Sequence, residues 1–413
     1  DLVVTTPRGA VTLAGAGSYS PAADQLSLTS FDLTTAYARL RGAGTLADVG
    51  GGRLADVSAT LEPRWESLDP LVASSVGGDA HVRATVKPFH LRGSLAAGST
   101  SQILKGMEGA LEVDLASAQA FGMLVGPTPI VLRMGGGKAV FDPIATTLND
   151  GKLEIGGDLF LDDPAALWLR LAKGTRIEGA AINQAVSNDV LSYIAPILAK
   201  ASNLSGTVSL RIDGAAIPVV GDGALRVDGQ LVFQNVVFQP GPFATEIVAM
   251  TGNVAPKMTL HEPLQLQIAD GRVRQSGLTI PLPENLTAKI DGSVGFDKTL
   301  ALRAVVPVTA KMLGGNAVAS EFVAGTDVAI PIGGTISQPK IDRAGLRLAL
   351  RDAVKSMVKR GARAEAGRLL DQVLPPAAGG RNATPGSPGG LSGGDALKAL
   401  EGLGREFIQP RRR

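Results

Sequence analysis

Residues 260–290, LHEPLQLQIADGRVRQSGLTIPLPENLTAKI, decide how the whole chain is read. Leu264, Leu266 and Ile268 alternate with Gln265 and Gln267, and Leu278, Ile280 and Leu282 continue the alternation beyond Asp270-Gly271. Leu286 and Ile290 complete the run, with Leu260 at its head. A period of two is the geometry of a strand, whose successive side chains point to opposite faces. Asp-Gly between two such runs is a hairpin signal, because both residues tolerate positive φ. The segment reads as consecutive antiparallel strands with one apolar face.

The pattern spreads in both directions. Leu300, Leu302, Val306 and Val308 extend it downstream, and Val328, Ile330 and Ile332 close it. Upstream, Leu111, Val113 and Leu115 alternate with Glu112 and Asp114, and Val208, Leu210 and Ile212 alternate with Ser209, Arg211 and Asp213. Further Asp-Gly pairs at 150–151, 213–214, 222–223, 228–229 and 291–292 predict more hairpins. The expected fold is mainly β, about twenty to twenty-five strands in one antiparallel meander roughly 100 Å long. Open sheets rarely exceed about ten strands without curling, so a long, twisted, curled sheet forming a hydrophobic groove is expected, with a few helices including one near the C-terminus.

Two stretches break the alternation. Ile182, Val186, Val190, Ile194 and Ile197 fall at helical spacing, with Pro196 forcing a kink or a break. Leu346, Leu350, Val354 and Met357 do the same on a helix whose other face carries Arg343, Arg347, Arg351, Lys355 and Lys359. The expected organisation is a first β-groove segment (1–180), a helical insertion (181–205), a second β-groove segment (206–340), a basic amphipathic helix (341–376) and a Gly/Pro-rich tail (377–413).

Composition agrees with extended sheet and tight turns. The 413 residues include 52 Gly and 25 Pro, 45% are hydrophobic and only 4% aromatic. A net charge of +2 is too small for a nucleic-acid binder, whose affinity comes from neutralising phosphates. With no cysteine there is no disulfide scaffold, thiol nucleophile or thiolate zinc site. The run of about 18 apolar residues that spans a membrane is absent, and the opening Asp1-Leu-Val-Val-Thr reads as mid-strand, so a membrane anchor is expected upstream.

Catalytic signatures are missing too. His81, His90 and His261 stand apart from any metal-ligand spacing, and each reads as a surface or sheet-edge residue. Gly390-x-Ser392-x-Gly394 matches a nucleophile elbow by letter but lies in the Gly/Pro-rich tail, without the strand and helix that the elbow needs. Gly135-Gly-Gly-Lys138 is followed by Ala139 and is no phosphate loop. No enzyme, cofactor or metal is expected. The basic stripe is either an ordinary solvated helix face or a contact for anionic headgroups or an acidic partner. The apolar face likewise has two readings: a packed core between layers, or a trough left open for hydrocarbon.

Three segments resemble the C-terminal regions of AsmA-like proteins: residues 286–297, LTAKIDGSVGFD; residues 300–307, LALRAVVP; and residues 330–342, IPIGGTISQPKID, leading into the basic helix. The repeating strand unit at 151–158, GKLEIGGD, is similar as well, and the likeness covers roughly residues 105–360. The resemblance, which extends to TamB-like and bridge-like lipid-transfer proteins, implies a periplasmic body anchored to the bacterial inner membrane. It also implies a groove conducting phospholipids between the inner and outer membranes, in support of outer-membrane integrity. Its partners would be phospholipid acyl chains, the membrane and other envelope proteins. On that reading Leu260, Leu264, Leu266, Ile268, Leu278, Ile280, Leu286, Ile290, Leu300, Leu302, Val306, Val328, Ile330 and Ile332 line the groove, and the five basic residues meet headgroups or a partner. Charged substitutions at Leu266, Ile280 or Leu302 are then expected to block lipid crosslinking and spare the fold. The alternative is an envelope scaffold or outer-membrane protein assembly factor that carries no lipid.

Overall fold

The computed structural model describes residues 2–342, except 7–8, 77–78, 97–99, 162, 164–165, 199–200, 220–222, 242–243, 246–256, 283–285 and 309–326, together with Gly345 and Leu348. Among the described residues, twenty-three strands make one sheet. In chain order they begin with β1 (Leu2–Thr6), β2 (Gly9–Ser20), β3 (Gln25–Thr34), β4 (Ala38–Ala47) and β5 (Leu54–Pro63). Helix α1 (Trp65–Val76), β6 (Ala80–Val86), β7 (Phe89–Ser94), helix α2 (Thr100–Gly106), β8 (Glu108–Ala120), β9 (Met123–Val125) and β10 (Thr128–Gly135) follow. Then come β11 (Lys138–Leu148), β12 (Gly151–Phe160), β13 (Trp168–Leu171), β14 (Arg176–Ala181), β15 (Ser202–Pro218) and β16 (Arg226–Gln239). The last are β17 (Met258–Leu260), β18 (Pro263–Ala269), β19 (Arg272–Pro281), β20 (Thr287–Gly295), β21 (Leu300–Pro307), β22 (Asp327–Gly334) and β23 (Pro339–Ile341).

All pairings are antiparallel, and the order in the sheet follows the order in the chain. Four rungs consist of two short strands end to end: β6 with β7, β9 with β10, β13 with β14 and β17 with β18. Nineteen rungs at about 4.8 Å give a ribbon about 90 Å long. The sheet runs unbroken through the expected boundary at 181–205, because β14 pairs directly with β15.

Register makes the apolar side of this ribbon continuous. One row of directly opposed residues reads Gly17, Leu28, Gly44, Val57, Leu91, Gly109, Met134, Ala139, Leu159, Leu169 and Ile217. A second, overlapping row reads Leu111, Leu132, Phe141, Gly157, Leu171, Ala215, Val227, Ile268, Val273, Val294 and Leu300. Every member is apolar or glycine, so all share one face from β2 to β21. A slip of one residue anywhere would turn a strand's apolar set outward, which is what holds the register.

The opposite face is laced by ion pairs. Arg39 binds Asp32, Arg41 binds Glu62, Arg92 binds Glu108 at 2.8 Å, and Arg176 binds Glu154 at 2.7 Å. Exposed pairs of this kind each contribute little to stability, on the order of 0–1 kcal/mol. They do keep that face in water. His81, His90 and His261 are exposed; His90 contacts Asp56 at 2.6 Å and His81 contacts Asp69 at 3.4 Å, so the first two are paired on the polar face.

The Asp-Gly signals divide. Asp270-Gly271 is a turn with φ of 53° and 69°, and Asn149-Asp150 turns just before Gly151. Asp213-Gly214, Asp228-Gly229 and Asp291-Gly292 instead lie inside β15, β16 and β20, and Asp222 lies outside the described residues. Side-chain partners along the sheet explain the correction: Asp228 accepts from Gln267 at 3.0 Å, and Asp291 accepts from the Gly277 amide at 2.8 Å. Gly277 belongs to a bulge in β19, so Asp291 holds an irregularity in its neighbour rather than ending its own strand.

Helix α1 protects an edge. β5 pairs with β7 but not with β6, so the β6 edge would present bare backbone groups. The Trp65 indole donates to the Ala84 carbonyl at 3.0 Å there, and Asp69 accepts from Arg83 at 2.8 and 2.7 Å. Those hydrogen bonds from Arg83, reinforced by His81 and opposed by partial burial, hold the Asp69 carboxyl at about 2 against an ordinary 3.8. A depressed folded-state value stabilises the docked helix above the ordinary value and loses that contribution as pH falls through the folded one. Trp65 fluorescence in a Trp168→Phe background should therefore report loosening of α1 between about pH 4 and pH 2. Asp69→Asn should remove that step; a step of unchanged size in the variant would assign it to another group.

Candidate functional site: the apolar face

The apolar face is one surface with two environments. From β2 to β10 its large side chains stay in partial contact with water. Leu28, Leu33, Leu40, Val57, Leu61, Leu91, Leu111, Val113 and Ile130 are only partly buried, and Leu13 is 40% exposed. The fully buried apolar residues of this half are small or at its margins, such as Ala55, Ala59, Ala80 and Val86. Part of the reason lies in the first row, where Gly17, Gly44 and Gly109 interrupt Leu28, Val57 and Leu91. At Gly42, opposite Phe31, a Cβ would stand 2.8 Å from the tip of the Phe31 ring and 2.2 Å from the Ser58 carbonyl, so the ring takes the space a side chain would need there. Such a face is shallow and carries too little side-chain volume to fill a second layer.

From β16 onward the same face is sealed, whereas Ile177 of β14 and Leu210, Ile212 and Ile217 of β15 are still partly buried. Leu260, Leu264, Leu266, Leu278, Ile280, Ile290, Leu300, Leu302, Val306, Val328, Ile330 and Ile332 are 0–7% exposed and belong to one packed cluster, with Ile268 and Leu286 partly buried against it. These fourteen are the residues expected to line a groove. The structure brings them together on one face, but as filled core rather than open wall. Leu, Ile, Val and Phe dominate here, and a separate segment supplies the cover.

That cover is residues 184–198, inside the expected helical insertion. It runs as a helical turn (Gln184–Val186), a π-turn (Ser187–Leu191), a second helical turn (Ser192–Ile194) and a 3₁₀ turn (Pro196–Leu198). The break expected at Pro196 is present, with Ala195 at φ −130°, ψ 79°. Ile182, Val186, Ile194 and Ile197 are buried as the spacing predicts, Val190 partly so; Leu191 and Leu198, outside that pattern, are buried as well. The segment leaves β14, returns into β15, and reaches over to touch β19 and β20, about 19 Å along the sheet. Asn183 caps its start by accepting from the Val186 amide at 2.9 Å and donates to the Gly122 carbonyl at 2.7 Å. Gly122 has φ +74°, and a Cβ there would lie 2.5 Å from the Ala185 Cβ, so the β8–β9 turn is shaped to latch the cover.

One residue of the sealed half does not fit. Gln275 faces inward between Leu266 and Gly292, is 3% exposed, and neither polar atom of its amide has a hydrogen-bond partner among the described residues.

Alternation in the sequence located the apolar face, and the fourteen residues it singled out lie on the length of that face that is filled. The open half shows the same alternation in β8, and the glycines set among its leucines, Gly17 and Gly44 beside Leu28 and Gly109 beside Leu91, become neighbours only once register is known. Arg343, Arg347, Arg351, Lys355 and Lys359, and nearly all of the expected helix and tail at 341–376 and 377–413, lie outside the described residues.

Neither protein-family models, nor curated proteins, nor solved structures yield a match to this chain. The site must be read from its own geometry. Among the described residues no group of three or more His, Asp or Glu is placed to hold a metal, and no helix is long and apolar enough to cross a membrane.

Proposed function

We propose that the open half of the apolar face, from β2 to β10, binds the acyl chains of phospholipids and passes them along the ribbon without chemistry. The observation that carries this is the contrast along one register-continuous face: packed into a closed core from β16 onward, with residues 184–198 over β19 and β20, and left partly in water from β2 to β10. The open half spans seven rungs, about 30 Å, and strands of about ten residues give it a similar width. Monomeric proteins rarely leave an apolar patch larger than a few hundred Å² without a use for it. Moving about 16 methylenes out of water contributes on the order of 13 kcal/mol at about 0.8 per CH₂, so a shallow trough offsets most of the cost of extracting a chain. A ribbon curled about this face would shelter the chain and leave the ion-paired face in water. The resemblance to AsmA-like proteins points the same way and adds the rest of the proposal: an envelope protein held at the inner membrane, supplying phospholipid to the outer one.

The test is photocrosslinking of the 413-residue chain with a diazirine-bearing phosphatidylcholine, followed by peptide mapping. Crosslinks concentrated on inward residues of β2–β10 are expected. Absence of crosslinks there, with lipid-free protein by native mass spectrometry after exposure to vesicles, would leave a scaffold or assembly role in its place.

A further inference from the structure

We infer that the sealed half is a second, covered binding site, with residues 184–198 as its cover and Gln275 as its polar contact. Its ligand is an acyl chain bearing an oxygen function, such as an ester carbonyl or a hydroxyl. The inference rests on the reading of the open half as a hydrocarbon surface.

Three observations combine. First, the apolar rows do not end where the cover begins. The second row passes from Leu132 and Phe141 through Val227 and Ile268 into Val273 and Val294, and these last two belong to the packed cluster that residues 184–198 join, so the open and covered lengths share one continuous apolar surface. Second, Gln275 is costly where it stands. An amide can donate two hydrogen bonds and accept two, and among the described residues it makes none in an apolar layer, where leucine of similar size would carry no such penalty. Its two register neighbours, Leu266 and Gly292, offer no side-chain partner. An oxygen arriving with a bound chain would supply one. Third, the cover is assembled for displacement rather than rigidity. It is four short turns of three kinds with a break at Ala195, and its buried hydroxyls turn inward on the segment itself, Ser187 donating to the Leu198 carbonyl and Ser192 to the Asn188 carbonyl. Short irregular turns have little stability of their own and are held by packing, which an acyl chain can replace. The anchoring polar contacts, Asn183 to Gly122 and to Val186, sit at one end, so the remainder can lift about that point.

The absence of native cysteine makes the test clean. Ser192→Cys places a thiol of nearly serine size at a site 3% exposed. Maleimide labelling of this variant should be slow in detergent micelles alone and accelerate by about tenfold when the micelles contain the diazirine phosphatidylcholine. Peptides spanning 263–281 should then acquire crosslinks. Gln275→Leu, with Gln275→Met as a second variant should the first misfold, should cut those crosslinks several-fold and leave crosslinks on β2–β10 unchanged. Crosslinks confined to β2–β10, with Ser192→Cys labelling indifferent to lipid, would overturn the second site and spare the open one. Crosslinks at 263–281 that survive both Gln275 variants would remove the polar contact. No crosslinks anywhere would remove both sites together.

Discussion

Ile280→Asp is expected to unfold the sealed half of the sheet, not merely to block lipid. Ile280 is 0% exposed, directly opposite Ala288 and within the cluster that includes Leu278, Ile290 and Ile330. A carboxylate there meets only apolar neighbours in that cluster, and its neutral form still brings an unpartnered polar group into a dry core. Costs of at least about 4–5 kcal/mol follow from either state, against a total stability of about 5–15 kcal/mol for an ordinary domain. Leu266→Asp and Leu302→Asp should behave alike, since these residues are 4% and 5% exposed. This reverses what the groove reading expects, that charges at these three positions would spare the fold. Urea unfolding followed by far-UV circular dichroism, with hydrogen exchange on β18–β21, measures the effect. A variant with a native midpoint would show that the face there is open.

The opposite result is expected on the other half. Val57→Glu and Val113→Glu lie on the open face, in β5 and β8, where both valines are already partly in water. A glutamate can carry its carboxylate to solvent past its own methylenes, so each change should cost about 1 kcal/mol or less in stability. A hydrocarbon chain laid across the same positions would have to strip water from that charge. The penalty is several kcal/mol, which at about 1.4 kcal/mol per decade is roughly a hundredfold or greater loss of lipid occupancy. Native mass spectrometry of protein recovered from vesicles reads this directly. Retention of full lipid occupancy by the double variant, with its unfolding midpoint unchanged, would dismiss the open face as a lipid surface.

These two predictions differ although Val57 and Ile280 look alike in the sequence. Each is a β-branched residue in an alternating run, and each faces the same side of the same sheet. The alternation reports strand geometry, which a few neighbouring residues determine. It does not report what lies above the face. The cover at 184–198 could be anticipated as a helical break from Ile182, Val186, Ile194 and Ile197. Its reach across to β19 and β20 depends on where register and the β8–β9 latch direct it. The Asp-Gly pairs divide for the same reason at shorter range: Asp270-Gly271 turns the chain, whereas Asp291-Gly292 stays in a strand because Asp291 finds the Gly277 amide on the neighbouring strand.

What the amino-acid order determined by itself was a mainly β chain of serial hairpins, apolar on one side and polar on the other, because period and turn chemistry are local properties of the backbone. Only the tertiary structure decided which length of the apolar side is closed and which is left to water. Coverage is a matter of distance in space: the segment at 184–198 lies over β19 and β20, far downstream in the chain, while the glycine-lined strands before it have no such segment among the described residues.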